Sequence, residues 1–242
     1  MSSTVARPLP RAQVRDIAQA FLPDRALGNR WDHYYARAKL GSDPLYPGIC
    51  DALRGTTAPL LDLGCGLGLL AHALRAQGIA LPYRGVDNDA GKIARAKRAA
   101  VRADLRDAVF DTVDLAGTSL ADALGSHRGS VALLDVLQFI PPQAQARTLD
   151  AAIAMLAPGA KLVIRTGLAD GSGRAHVTRA VDRFSRVLGW MNAGPSRYPD
   201  AGDLRARFDA AGLQSEFTPL YGRTPFNNWR IVATRPAAST IL

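Results

Sequence analysis

Three glycines on alternate positions, Gly64, Gly66 and Gly68, follow an apolar run from Pro59 to Leu63 that carries one carboxylate, Asp62. Leu67, Leu69, Leu70, Ala73 and Leu74 then recur at helical spacing. The pattern predicts a strand, a tight turn and a helix. Glycine lets the turn's backbone approach a ligand closely, and the helix behind it offers free N–H donors. A second apolar strand, Tyr83 to Val86, ends in Asp87 and Asn88. A short acid at that place suits the paired hydroxyls of a ribose. Together these residues suit a nucleotide-like cofactor.

Two fingerprints overlap on the same turn. Gly66, Gly68 and Ala71 satisfy the G-x-G-x-x-G/A pattern of dinucleotide folds, and Asp87 lies near the spacing of the ribose acid, so an NAD-dependent oxidoreductase is one reading. Asp62, Gly64, Gly66 and Gly68 satisfy D-x-G-x-G-x-G, which adds an acid two residues before the first glycine. A pyrophosphate gains nothing from that anion. S-adenosylmethionine (SAM) carries an ammonium and a sulfonium and no phosphate, so Asp62 favours SAM.

With these residues in place, the chain resembles the class I SAM-dependent methyltransferases. SVALLDVLQFIPP, from Ser130, is similar to the family's fourth strand and following loop. LAPGAKLVIRT, from Leu156, is similar to its fifth strand, and GLQSEFTPLYGRTPFNNWRIVATR, from Gly212, to its closing antiparallel pair. The resemblance implies an α/β fold: a three-layer Rossmann-like sandwich around a mostly parallel seven-stranded sheet with a C-terminal antiparallel strand. It implies SAM as cofactor, S-adenosylhomocysteine (SAH) as product, and methyl transfer by in-line displacement. It places Asp62 with Gly64, Cys65, Gly66 and Gly68 around the methionine part. Asp87 and Asn88 fall at the ribose, Asp114 and Leu115 at the adenine, and Asp135 and Val136 near the transferred methyl. In an open α/β sheet these positions all belong to the carboxyl edge of the strands.

The acceptor leaves fewer marks. Tyr34, Tyr35 and Phe139 are candidate pocket aromatics, and Lys39 and Arg165 candidate partners for an anionic acceptor. A base is needed only for a weak nucleophile, and among the four histidines His33 and His176 lie on the correct side of the sheet. Asp-Val-Leu-Gln after strand four is not the (Asn/Asp)-Pro-Pro-(Tyr/Phe) loop of nucleic-acid amino methylation, which favours a small-molecule acceptor. RWDHYYARAKLGSDPLYPG and YGRTPFNNW resemble bacterial methyltransferases of aryl-polyene and related fatty-acid-like pigment pathways. That resemblance implies an aryl or lipophilic hydroxyl or carboxyl acceptor, with a carrier-protein-bound form as a further option. An RNA methyltransferase and a non-catalytic SAM-binding module are the alternatives.

The elements around these residues set the frame. At 242 residues the chain fits one large α/β domain. Residues 1–45 read as an N-terminal helical extension that could act as a lid, 46–235 as the methyltransferase domain, and 236–242 as a loose tail. Helices are predicted over about 14–22, 26–40 and 45–53, and strand three near Val109 to Val113. Removing residues 1–42 is then expected to leave the sheet folded. The net charge of +9 lies outside residues 59–135, and no cluster of basic and aromatic residues suggests an RNA surface. Two cysteines without ligand spacing predict no disulfide and no metal site. No apolar run reaches a membrane span and no secretory leader is evident, so a cytoplasmic setting is expected.

Overall fold

The computed structural model describes residues 7–25, 27–117, 120–169, 198–222 and 227–237. It opens with three helices, α1 (Arg11–Gln19), α2 (Trp31–Ser42) and α3 (Leu45–Leu53). Strands and helices then alternate: β1 (Leu60–Leu63), α4 (Leu69–Ala76), β2 (Tyr83–Asp87), α5 (Ala90–Arg102) and β3 (Ala108–Thr112). The run continues with α6 (Leu120–Leu124), β4 (Ser130–Leu134), α7 (Pro142–Ala154) and β5 (Lys161–Gly167). The last described elements are α8 (Ala201–Ala210), β6 (Gln214–Pro219) and β7 (Asn228–Thr234).

The strands form one seven-stranded sheet in the order β3-β2-β1-β4-β5-β7-β6. β1 to β5 pair in parallel, and β7 runs antiparallel to β5 and β6 on either side of it. Crossovers go one way from β1 to β2 and the other way to β4, which opens a crevice at the carboxyl ends of β1 and β4. Period-two alternation sorts β1: Leu60 belongs to one apolar cluster, and Leu61 and Leu63 to the other. The first cluster takes in α3, α4 and α5, and the second α7 and α8.

The first cluster does not divide at residue 45. Val14, Ile17, Ala18, Phe21, Ala36 and Leu40 from the N-terminal helices are buried in it with Leu70, Leu74 and Ala96. Polar ties run the same way: Gln13 donates to the Ala76 carbonyl at 2.9 Å, and Arg95 pairs with Asp32 at 3.1 Å.

Several boundaries differ from the sequence reading. α2 starts at Trp31, not 26, because Asn29 Oδ1 accepts from the Trp31 N–H at 2.8 Å. It runs on through Gly41 and Ser42 until the extended Asp43. β5, which the apolar run after Lys161 suggests only as far as Ile164, continues to Gly167 because β7 pairs with it along its whole length, Gly167 opposite Asn228. His72 on α4 is 3% exposed, with its ring 5.0 Å from that of Phe21.

Candidate active site

The turn after β1 is built from backbone that L-residues avoid. Gly64, Gly66 and Gly68 have φ of 80°, 55° and 72°, in the left-handed region that glycine adopts without penalty. The Gly64 and Cys65 N–H groups both donate to the Val86 carbonyl, at 2.7 and 2.9 Å, which locks the turn against β2. A Cβ on Gly64 would lie 2.4 Å from Val136 Cγ2, so the start of the β4 loop sits directly on this turn. A Cβ on Gly66 would meet nothing within 4 Å. The backbone there faces open space.

Two acids flank the turn. Asp87 ends β2, accepts from the Gly66 N–H at 2.9 Å on one oxygen and from the Asp89 N–H at 3.0 Å on the other. Asp62 is 2% exposed and accepts from the Tyr83 hydroxyl at 2.6 Å, while its Oδ1 is buried with no hydrogen-bond partner. Burial pushes its pKa up to about 7, helped by the nearby Asp87 charge and opposed by the Tyr83 hydrogen bond. An orphaned carboxylate oxygen in a buried site is unusual and calls for a donor. Cys65 packs its Sγ toward Gly85, and burial raises its pKa, so it serves the turn as a small apolar residue. The residues fit SAM on these grounds: open space over Gly66, an unpaired acceptor at Asp62, and Asp87 at the end of β2.

The other predicted cofactor residues are spread along the same edge. Asn88 is exposed beyond Asp87. Asp114 is exposed and caps its own turn by accepting from the Ala116 N–H at 2.9 Å, and Leu115 is buried in the second apolar cluster. Asp135 follows β4 with φ of 60°, a left-handed conformation in a non-glycine residue. Such strain marks sites that the surroundings hold in place.

Four charged side chains gather at this edge. Asp135 Oδ2 accepts from Lys39 Nζ at 3.2 Å and from Arg165 Nη1. Asp43 accepts from Arg165 Nη2 at 3.2 and 3.0 Å, from Lys39 Nζ at 2.8 Å, and from the Leu45 N–H at 3.0 Å. Burial opposes the charges on Asp43, Lys39 and Arg165, but the pairing outweighs it. Asp43 is held below the usual carboxylate range, and Lys39 and Arg165 above their ordinary values. Two cations and two anions cancel. Sequence reasoning misses Asp43, for which the i,i+4 spacing from Lys39 is the available signal. Tyr83 was also missed, although it shares a strand face with Gly85, which pairs with Asp62.

The remaining predicted residues are placed as follows. Tyr34 and Tyr35 are exposed on α2, and Phe139 is half-buried in the short helical turn Leu137–Phe139 after β4. His33 donates its Nδ1–H to the Ala18 carbonyl at 2.7 Å, which turns its ring toward α1. His176 lies outside the described residues. Among the described residues no cluster of His, Cys, Asp and Glu could hold a metal ion, and no helix is long and apolar enough to cross a membrane.

A seven-stranded sheet in this order, with a glycine turn and acids at its carboxyl edge, defines a class I, Rossmann-like methyltransferase fold. A family model described as a methyltransferase domain matches residues 18–216, and the chain belongs to that family. It is thus a SAM-dependent methyltransferase. Solved structures agree on the fold. An O-methyltransferase family protein from Burkholderia thailandensis has a TM-score of 0.62 at 18% identity, over 86% of this chain and 60% of that one. Magnesium protoporphyrin IX methyltransferase from Synechocystis PCC 6803, solved with SAH, has a TM-score of 0.58 at 17% identity, over 91% and 93%. A 4+2 cyclase has a TM-score of 0.60 at 15% identity, over 98% and 100%, so the fold alone does not fix a reaction. This chain spans only 60% of the Burkholderia protein. No curated protein matches the sequence. None of these matches bears on the resemblance to pigment-pathway enzymes.

Proposed function

We propose that the chain methylates a hydroxyl on a small aryl or lipophilic acceptor, with SAM held between Asp62 and Asp87 over the Gly64–Gly68 turn. The observation that carries the cofactor placement is the open backbone at Gly66 between the buried, half-satisfied Asp62 and the strand-end acid Asp87. In this reading Asp62 Oδ1 accepts from the cofactor ammonium, Asp87 and Asn88 take the ribose, and Asp114 and Leu115 the adenine. Bound SAM supplies a methyl group already activated by its sulfonium. The chain's work is then to align the acceptor and exclude water.

The charge quartet bears on the choice of acceptor. Lys39 and Arg165 are already matched by Asp43 and Asp135, so little of their charge is left for a carboxylate. Asp135 Oδ1 makes no hydrogen bond among the described residues, and its side chain is 27% exposed. It is suited to accept from a hydroxyl, to orient that oxygen, and to take its proton as the oxygen gains the methyl group. These points support a hydroxyl over a carboxyl, with Tyr34, Tyr35 and Phe139 as the apolar wall. Residues 1–45 serve in this reading as a cover anchored in the core, and a free or carrier-bound acceptor in the cytoplasm completes it.

Calorimetry with SAM, SAH and NAD tests the cofactor. SAM and SAH are expected to bind and NAD not; tighter NAD binding would overturn the reading. Asp87→Ala should cost at least about 1.5 kcal/mol of SAM affinity, the worth of a charged hydrogen bond. A panel of phenols, carboxylates and amines, read by SAH release, tests the acceptor. Turnover of carboxylates alone would count against the hydroxyl assignment.

A further inference from the structure

Outside the cofactor turn lie a crevice of about 370 Å³ between α5 and the α1–α2 connection, a groove beside the edge strand β3, and the buried carboxylate of Asp43. The arginines of the crevice are largely committed, Arg95 to Asp32 and Arg102 to Asp24, and nothing seats a partner on β3. Asp43 carries the argument furthest.

Asp43 is 7% exposed and stands between α2 and α3, and its hydrogen bonds go to Lys39, Leu45 and Arg165 rather than to the cofactor turn. It is nevertheless joined to that turn by an unbroken series of contacts. Its carboxylate is fixed by the Leu45 N–H and holds the head groups of both Lys39 and Arg165. Those two groups converge on one oxygen of Asp135. The Asp135 N–H donates to the Arg165 carbonyl at 2.8 Å, so the residue is gripped at backbone and side chain while its φ stays at 60°. Aspartate tolerates that region better than most residues but at a cost that glycine does not bear, and here the grip at both ends offsets it. The next residue, Val136, lies over Gly64 so closely that a methyl group there would not fit. If Asp135 relaxes, Val136 shifts, and the first turn of the cofactor crevice loses its packing.

We propose that Asp43 is a positioning residue for the cofactor crevice, acting through Lys39 and Arg165 on the backbone of Asp135 and thereby on Val136 and the Gly64 turn. The inference rests on the placement of SAM proposed above. It implies that the N-terminal helices and cofactor affinity are coupled through four side chains.

A double-mutant cycle read by SAH calorimetry tests it, with thermal unfolding of every variant alongside. Asp43→Asn should weaken SAH binding about 5- to 150-fold, the usual span of coupling between sites. Asp135→Gly removes both the clamp's target and the need for one, since glycine accepts this φ freely. In that background Asp43→Asn should change SAH affinity by less than about two-fold. Equal losses in both backgrounds would reduce Asp43 to general stability and overturn the proposal, as would wild-type affinity in Asp43→Asn. If Asp43→Asn does not fold, Lys39→Met, which removes one clamp from the more exposed end, faces the same two criteria. A wild-type chain that fails to bind SAH would overturn the cofactor reading and this inference with it.

Discussion

Asp62 and His72 are both buried where the uncharged form is favoured, and their titrations pull folding stability in opposite directions. Burial raises Asp62 from 3.8 to about 7. The native chain therefore keeps a proton that the unfolded chain releases, and this contribution is full below about pH 4 and lost as pH rises through about 7. Burial alone lowers His72 from 6.5 to about 4. Here the unfolded chain takes a proton that the native one refuses, so stability is full above about pH 6.5 and lost as pH falls toward 4. Each effect is on the order of 3–4 kcal/mol when complete, and between those limits the two offset each other. Asp62→Asn, which keeps an acceptor for Tyr83, should unmask a cofactor-free protein that gains stability from about pH 5 to about pH 7. His72→Leu should unmask the reverse slope. Urea unfolding at the two pH values measures both, and parallel profiles in all three proteins would refute the prediction. A cationic donor reaching Asp62 Oδ1 favours the carboxylate, so SAM affinity should rise as pH approaches 7.

The turn between β1 and α4 separates what folding needs from what binding needs. Gly64→Ala brings a methyl group to 2.4 Å from Val136 in a left-handed backbone, so it should lose stability by about 3 kcal/mol or more, strain and overpacking together. Gly66→Ala meets nothing within 4 Å and should cost only about 1–2 kcal/mol of backbone strain. Its methyl group instead fills the space over the turn, and SAH affinity should fall by more than in any variant of equal stability. Thermal melts beside SAH calorimetry separate the two; Gly66→Ala with wild-type affinity would move the cofactor away from this turn. These elements were legible because the signal is local. Apolar spacing and alternate glycines announce β1 and α4, and Asp89, a good N-cap residue just before α5, accepts from the Lys92 N–H at 3.0 Å. The full length of β5 was not legible, because β7, some sixty residues later, decides it. The quartet was half legible: Lys39, Asp135 and Arg165 were read as site residues, but only the fold brings them onto Asp43. The cations that looked available to an anionic acceptor are therefore already paired.

At the scale of the whole molecule, the question is what the N-terminal helices do. The sequence alone favours a detachable cover, since the strands and helices from Pro59 onward form a closed pattern without it. The packing argues otherwise. Val14, Ile17, Phe21 and Leu40 are each under 8% exposed within the cluster that contains α4 and α5. At roughly 1.5–3 kcal/mol for each large apolar side chain buried, these four alone rival the net stability of a typical domain, about 5–15 kcal/mol. Their removal would also uncover His72 and leave Arg165 and Asp135 without Lys39 on a buried edge. Deleting residues 1–42 should therefore give a protein that aggregates or unfolds without a cooperative transition, even though the β-sheet and its glycine turn are untouched. Far-UV circular dichroism and thermal melts of the truncated chain decide it. A soluble truncation with a cooperative melt would show that the shared cluster contributes little and that the helices are a true lid. In that case SAH affinity should still fall, because the truncation removes Lys39 and with it one of the two cations on Asp135. A folded truncation that binds SAH as well as the full chain would contradict both the core role and the coupling through Asp135.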